Sequence, residues 1–209
     1  MTFSIVARCP KTLALGVAVS TAVPAVGSVV PHVKVNVGAI ATQAQTNIVY
    51  GKEGIKLLES DFTPQKALET LLATDKDREK RQVTMIDAQG RTAAFTGKKT
   101  VGWKGHIIGK DYVVAGNMLV GSCVIRAMSD SFEEEKGSLA ERLLKALEAG
   151  QEAGGDKRGR VSAALLVADS RWTNSNRPLL DLRVDAHSDP VEELRRVYAV
   201  ASRYFHISE

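Results

Sequence analysis

The threonine at the second position of the chain could act as a nucleophile, because it directly follows the initiator methionine. A small residue at this position permits removal of Met1, which would leave Thr2 with a free α-amine beside its own hydroxyl. A hydroxyl nucleophile with an adjacent base is the arrangement used by N-terminal-threonine hydrolases. Thr2 is therefore a candidate nucleophile, and the alternative is that it only begins a β-strand.

Three further residues could assist such a nucleophile. Asn117 follows a predicted strand and could donate its side-chain amide to an oxyanion, or it could simply be a turn residue. Lys34, on the polar side of a predicted strand, could lower the pKa of the amine, or it could be a solvated strand lysine. His106 is in a predicted loop rich in glycine and is a second titrating candidate, although many loop histidines have no role.

Polar residues near the predicted strand ends are candidates for substrate binding. Ser4 and Ser20 are expected to share the polar side of the opening hairpin with the nucleophile, where they would orient it or would only be hydroxyls at the edge of a ladder. Gln43, Thr46 and Asn47 come at the end of a buried strand and could form the wall of a substrate pocket.

A short basic segment after the fourth predicted helix contains further candidates. Asp156, Arg158 and Arg160 could bind a carboxylate or phosphate, since a guanidinium group makes paired hydrogen bonds to such anions. The alternative is a structural group of ion pairs that ties this loop to Asp181 or Asp185.

Composition excludes several classes of protein. The 209 residues suit one domain, and 44% hydrophobic with 25% charged residues is usual for a soluble globular protein. The net charge of +4 is spread along the chain, so we expect no nucleic-acid partner. Cys9 and Cys123 are far apart and predict reduced thiols. His187 lies near acidic residues without regular metal-ligand spacing, so neither a metal nor a cofactor is predicted.

The uncharged segment 13–30 imitates a signal peptide or a membrane span. It is interrupted by Gly16, Pro24 and Gly27, and it divides into short runs of β-branched residues. Such runs are typical of buried strands. The sequence therefore predicts no membrane association and, by default, a cytoplasmic location.

The order of predicted elements favours an α+β fold. Strands are predicted at 1–8, 13–19, 33–42, 81–87, 92–96, 112–115, 162–169 and 180–184. Helices are predicted at 51–60, from Thr63 onward, and at 122–135, 138–150 and 190–204. Hairpin strands separated by helix pairs predict a four-layer αββα sandwich, with two mostly antiparallel sheets between helix layers, in a single domain over 1–209.

Several segments together resemble one bacterial family across nearly the whole chain. They are MTFSIVAR at 1–8, GVAV at 16–19, GAIATQ at 38–43, AAFTG at 93–97, GNML at 116–119, GGDKRGR at 154–160 and DLRVD at 181–185. This combination is similar to the domain of unknown function 1028 family, which is grouped with the Ntn (N-terminal nucleophile) hydrolases. The resemblance implies the αββα fold and assembly into homo-oligomers, and it leaves the reaction open.

The leading hypothesis from the sequence is an Ntn-type hydrolase that cleaves a small amide with Thr2 after removal of Met1. An alternative is a non-catalytic protein of the same fold that binds a small anionic metabolite near Asn117, His106 and Arg158. A third hypothesis is an enzyme that acts around His106 and the arginine-containing loop and needs no processed terminus.

Overall fold

Two antiparallel β-sheets packed face to face organise the chain, and a computed structural model describes residues 2–170 and 180–204. The larger sheet contains, from edge to edge, β10 (Leu180–Val184), β9 (Ser162–Ala168), β2 (Leu15–Thr21), β1 (Thr2–Arg8), β8 (Tyr112–Leu119) and β7 (Trp103–Gly109). The smaller sheet contains β3 (Pro31–Lys34), β4 (Gly38–Ala44), β5 (Arg81–Asp87) and β6 (Thr92–Thr96).

Helices cover the outer face of each sheet. The smaller sheet packs against α1 (Val49–Glu59) and α2 (Pro64–Thr74). The larger sheet packs against α3 (Cys123–Glu134), α4 (Leu139–Glu152) and α5 (Pro190–Tyr204). The predicted four-layer αββα sandwich is therefore confirmed. Within the described residues, no helix combines the length and the apolar character needed to cross a bilayer.

Alternation along the strands divides the core into layers. In β1, Phe3 and Ile5 pack against the helices of the larger sheet, whereas Val6 packs in the apolar layer between the two sheets. Val17 in β2 and Val113 in β8 belong to the same inter-sheet layer. Since helices cover one face of β1 and the smaller sheet covers the other, β1 is buried on both faces.

The segment with His106, predicted as a loop, is the edge strand β7. Its glycines suggested an irregular chain, but they serve close packing. A Cβ atom on Gly109 would lie 2.1 Å from the ring of Tyr112, to which Gly109 is paired in register. The glycine, the last residue of β7, therefore leaves room for the aromatic ring.

The segment predicted as one strand over 33–42 is a hairpin. Asn36 lies between β3 and β4 with φ of 60°, in the left-handed region that asparagine tolerates. The turn pairs Lys34 with Gly38 and leaves β3 at the edge of the smaller sheet.

Two buried threonines on neighbouring strands predict opposite effects of the same substitution. Thr84 on β5 is 1% exposed, and its hydroxyl has no hydrogen-bond partner among the described residues. Thr42 on β4 is equally buried but donates to the carbonyl of Asn47 at 3.1 Å. Thr84→Val should raise the free energy of unfolding by about 1 kcal/mol, whereas Thr42→Val should lower it by about 1 kcal/mol. Urea denaturation of both variants tests this, and equal losses would contradict it.

Candidate active site

Thr2 begins the central strand of the larger sheet with its side chain facing the smaller sheet. Its side chain lies on the same face of β1 as Ser4 and Val6, and only 5% of the residue is exposed. The Thr2 hydroxyl donates to the hydroxyl of Thr21, at the end of β2, over 3.3 Å. This long contact constrains the Thr2 hydroxyl weakly.

Asn117 lies directly beside Thr2 on the neighbouring strand. The register pairs Thr2 with Asn117, so their side chains share one face and their Cβ atoms are about 5 Å apart. Asn117 is 1% exposed, and its Nδ2 donates to Oε1 of Gln82 over 2.9 Å. One of its two amide hydrogens is used in this bond.

Gln82 fixes the orientation of Asn117 and is a site residue that the sequence analysis missed. Its Nε2, which carries two hydrogens, has three acceptors within reach: the carbonyl oxygens of Gly105 at 3.0 Å and Gly116 at 2.9 Å, and the Thr96 hydroxyl at 2.9 Å. These acceptors determine which end of the amide is nitrogen, so Oε1 must accept from Asn117. The available signal was a glutamine in phase with Ile86, at an inward position of a buried strand.

Gln43 belongs to the same buried network. Its Nε2 donates to Oε1 of Gln82 at 2.8 Å, and the residue is 1% exposed. It faces the larger sheet, where its amide also approaches the carbonyl of Ala115 at 3.4 Å. The predicted pocket-wall residue is therefore a bridge between the sheets, placed behind Asn117.

A cleft of about 510 Å³ opens beside Asn117 at this end of the sandwich. Its lining residues come from the ends of β4 and β8 and from the loops next to β5 and β7: Ala44, Gln45, Lys80, Lys99, Thr100, Val101, Asn117 and Met118. Such a concave space beside a polar strand end can hold a small ligand.

Two residues that line the cleft have a left-handed backbone. The φ angle is 73° at Ala44 and 55° at Met118, although neither residue is a glycine. Two hydrogen bonds hold the backbone of Met118. Its N–H donates to the carbonyl of Val101 at 3.1 Å, and its carbonyl accepts from the N–H of Lys157 at 3.2 Å. Strained backbone of this kind is concentrated at functional sites, where surrounding contacts maintain it.

An ion pair holds the rim of the cleft. Arg81 Nε donates to Asp75 at 2.8 Å, and its Nη1 donates to the carbonyl of Gln45 at 2.8 Å. The Tyr50 hydroxyl also donates to Asp75, at 3.0 Å. Asp75 thus anchors, through Arg81, the loop that follows β4. Hydrogen bonding from Arg81 lowers the pKa of Asp75 to about 2.

Two predicted site residues point away from Thr2. Ser20 is paired with Phe3, so it faces the helices of the larger sheet and does not share the face of Thr2. Lys34 alternates with Val33, which packs between the sheets, and its ammonium group pairs with Glu59 of α1 on the outer face. The expectations that Ser20 would orient Thr2 and that Lys34 would tune its amine are therefore wrong. Ser4 does share the expected face.

His106 reaches the site only through other side chains. Its Nδ1 lies 2.9 Å from the Thr96 hydroxyl, which accepts from Gln82. Desolvation by neighbouring atoms lowers the pKa of His106. The arrangement links His106 to Asn117 through Thr96 and Gln82, behind the cleft.

The carboxylate of Asp156 reaches the end of β2. Its Oδ2 accepts from the N–H of Ala22 at 3.0 Å and from Arg158 Nη2 at 3.2 Å, and Asp156 is 4% exposed. Because Ala22 follows Thr21, which contacts Thr2, this pair lies close to the candidate nucleophile.

The third member of this segment is engaged elsewhere. Arg160 Nη1 pairs with Asp189 at 3.0 Å, just before α5. Asp181, a predicted partner of the loop, pairs with Arg183 of its own strand at 2.7 Å. The three residues Asp156, Arg158 and Arg160 therefore do not form one anion site.

Thr46 and Asn47 lie in the loop between β4 and α1. Asn47 Oδ1 accepts from the N–H of Val49 at 3.1 Å and supports the start of the helix. Thr46 is exposed next to Gln45, at the rim of the cleft. In the described part of the chain, no three His, Cys, Asp or Glu residues are grouped as a metal site.

The sequence matches the model of a family of unknown function, DUF1028, over residues 2–194. The chain belongs to this family. A member of the family from Silicibacter pomeroyi, known from a crystal structure, has a TM-score of 0.89 and 33% identity, over 96% of this chain and 89% of that chain. The ancestral β-subunit Anbu from Yersinia bercovieri has a TM-score of 0.45 and 9% identity, over 99% and 98% of the two chains. No curated protein matches.

The depressed pKa of Asp75 predicts acid sensitivity at the cleft rim. A carboxylate whose folded pKa lies below its unfolded value stabilises the fold above the unfolded pKa, near 4. That stabilisation should be lost as the pH falls from about 5 to about 2. Asp75→Asn should lower stability at pH 7 and flatten its dependence on pH in this window. Urea denaturation at several pH values tests this against the exposed control Asp130→Asn, and equal slopes in the two variants would contradict it.

Proposed function

We propose that this member of the family is an Ntn-type hydrolase that cleaves a small-molecule amide, with Thr2 as nucleophile after removal of Met1. The observation that carries the proposal is the register pair of Thr2 with Asn117 at the edge of the cleft. Asn117 lines the cleft and Thr2 does not, so the pair connects a hydroxyl at the head of the chain, through an oriented amide donor, to space for a ligand.

The reaction follows from these groups. The free α-amine of Thr2, with an ordinary pKa of about 8, takes the proton of Oγ1 as the oxygen attacks the amide carbonyl carbon. The resulting oxyanion accepts from the Asn117 amide hydrogen that Gln82 does not use. The protonated amine then gives its proton to the leaving nitrogen as the C–N bond breaks. Water attacks the remaining ester with the amine as base, which releases the acid and restores Thr2.

A second candidate is a binding protein for a small anion in the same cleft. The two lysines of the lining, Lys80 and Lys99, favour it, because their positive charges would attract an anion. Binding of an anion does not require removal of Met1. The state of residue 2 separates the two candidates.

The nucleophile can be tested with a peptide epoxyketone, which forms a ring adduct with a hydroxyl and an amine of the same terminal threonine. We expect intact mass to show loss of Met1 and one adduct per chain, with turnover of an amide panel abolished by the adduct. Thr2→Val keeps the shape but lacks the hydroxyl, so its turnover should fall by at least about 10³-fold, whereas Thr2→Ser should retain part of it.

The matched control is Thr70→Val on the exposed side of α2, which should behave like the unmodified chain. Retained Met1 in protein purified from its native host would refute the Ntn mechanism. So would undiminished turnover by Thr2→Val.

Asn117 should act on the transition state more than on substrate binding. Asn117→Ala should reduce kcat by about 10²-fold to 10³-fold with little change in KM, since the donor is needed only when the oxyanion forms. Steady-state kinetics on the best amide of the panel measure both constants. A rise in KM at constant kcat would assign Asn117 to substrate binding and not to the oxyanion.

A further inference from the structure

We infer that the cleft beside Asn117 holds a carboxylate of the substrate, with Lys99 as its principal cationic contact. The hydrolase would then act on amides that carry an acidic group. The inference rests on the proposed function for the reaction but not for the binding of the anion. Lys99 was not among the candidates that the sequence suggested.

The lining of the cleft has positive charge without acidic residues. Lys80 and Lys99 are its charged members, and none of the other lining residues is ionisable. A concave surface with one sign of charge concentrates the potential and attracts ligands of the opposite sign.

The two lysines differ in their availability to a ligand. Lys80 Nζ pairs with Asp77 at 2.8 Å, with both side chains about half exposed. Lys99 has no carboxylate within ion-pair distance among the residues that the structure describes. A carboxylate bound to Lys99 would therefore not compete with an existing ion pair.

The loop that carries Lys99 is fixed against the segment before β5. The Lys99 N–H donates to the carbonyl of Glu79 at 2.7 Å, and the Lys98 N–H donates to the Glu79 carboxylate at 2.8 Å. A Cβ atom on Gly97 would lie 2.3 Å from the same carbonyl oxygen, so only glycine permits this approach. A fixed backbone reduces the ordering cost of binding.

Lys104, which does not line the cleft, also holds the backbone of this loop. The ammonium group of Lys104, on β7, donates to the carbonyls of Lys98 at 2.6 Å and Thr100 at 2.5 Å. It has no acidic partner among the described residues, and its charge adds to the positive potential of the loop.

The same loop is joined to the strand end that carries Asn117. The Met118 N–H donates to the carbonyl of Val101 at 3.1 Å, directly after Asn117 in the chain. The lysine and the oxyanion donor are thus parts of one hydrogen-bonded unit. The lining also contains Val101 and Met118, whose apolar side chains suit an aliphatic link between the carboxylate and the amide.

Two anilides that differ only in charge test the preference. Glutaryl-p-nitroanilide and pentanoyl-p-nitroanilide have acyl chains of the same length, and only the first ends in a carboxylate. We expect kcat/KM to favour the glutaryl compound by at least about tenfold at low salt, and this ratio to decline as salt is added. Lys99→Gln should bring the ratio close to one by slowing only the glutaryl compound, and Lys99→Glu should reverse it.

The matched control is Lys66→Gln on the exposed side of α2, which should keep the full ratio. A ratio near one in the unmodified chain, or one that survives Lys99→Gln, would overturn the inference while leaving the hydrolase intact.

Binding without turnover separates the two proposals. Calorimetric titration of the unmodified chain and of Lys99→Gln compares glutarate with its uncharged diamide. If no amide is cleaved but glutarate binds through Lys99, the anion site stands and the proposed hydrolase fails. If glutarate binds no better than the diamide, the anion site is refuted whatever the chain cleaves.

Discussion

The hydrogen bonds of one buried side chain, Gln82, determine how the two sheets meet at the site. Its amide belongs to the smaller sheet, yet its acceptors include backbone carbonyls of β7 and β8 in the larger one. The residue is fully buried, so any shift between the sheets would leave a polar group unpaired at a cost of about 1–3 kcal/mol. The same bonds direct its oxygen toward Asn117. The same hydrogen bonds therefore fix both the packing of the two sheets and the orientation of Asn117, the candidate oxyanion donor.

Local sequence patterns predicted the elements well where side chains repeat with a clear period. Helix starts depend on neighbours in the chain. Thr63 and Ser138, where two helices were predicted to begin, cap α2 and α4 with their side-chain oxygens. The pattern misled where packing across the sheet decided the residue type. Gly109 is a glycine because of the ring of Tyr112, and an isolated segment cannot show that contact.

The site was harder to predict, because register decides which side chains meet. Each of the two residues carried a local signal: Thr2 follows the initiator methionine, and Asn117 follows a predicted strand. Their pairing could not be predicted in this way, because it requires β8 to lie beside β1. A shift of one position turns a side chain to the opposite face. The prediction for Ser20 was wrong for this reason. The prediction for Lys34 was wrong because its hairpin places it on the outer face of the smaller sheet. Lys99 carried no signal in the sequence, since only the folded chain places it in the lining of the cleft.

The loss of Lys34 from the site changes how the amine of Thr2 must be tuned in the proposed mechanism. The side chains that share its buried inter-sheet surface include Ser4, Gln43, Gln82 and Asn117, all of them neutral. Charged groups come near Thr2 instead through Asp156, whose carboxylate accepts from the N–H of Ala22, next to Thr21, and pairs with Arg158. Lys80 and Lys99 line the cleft itself and are the cations proposed to meet an anionic substrate. The proposed base and the proposed substrate anion would therefore have different charged neighbours.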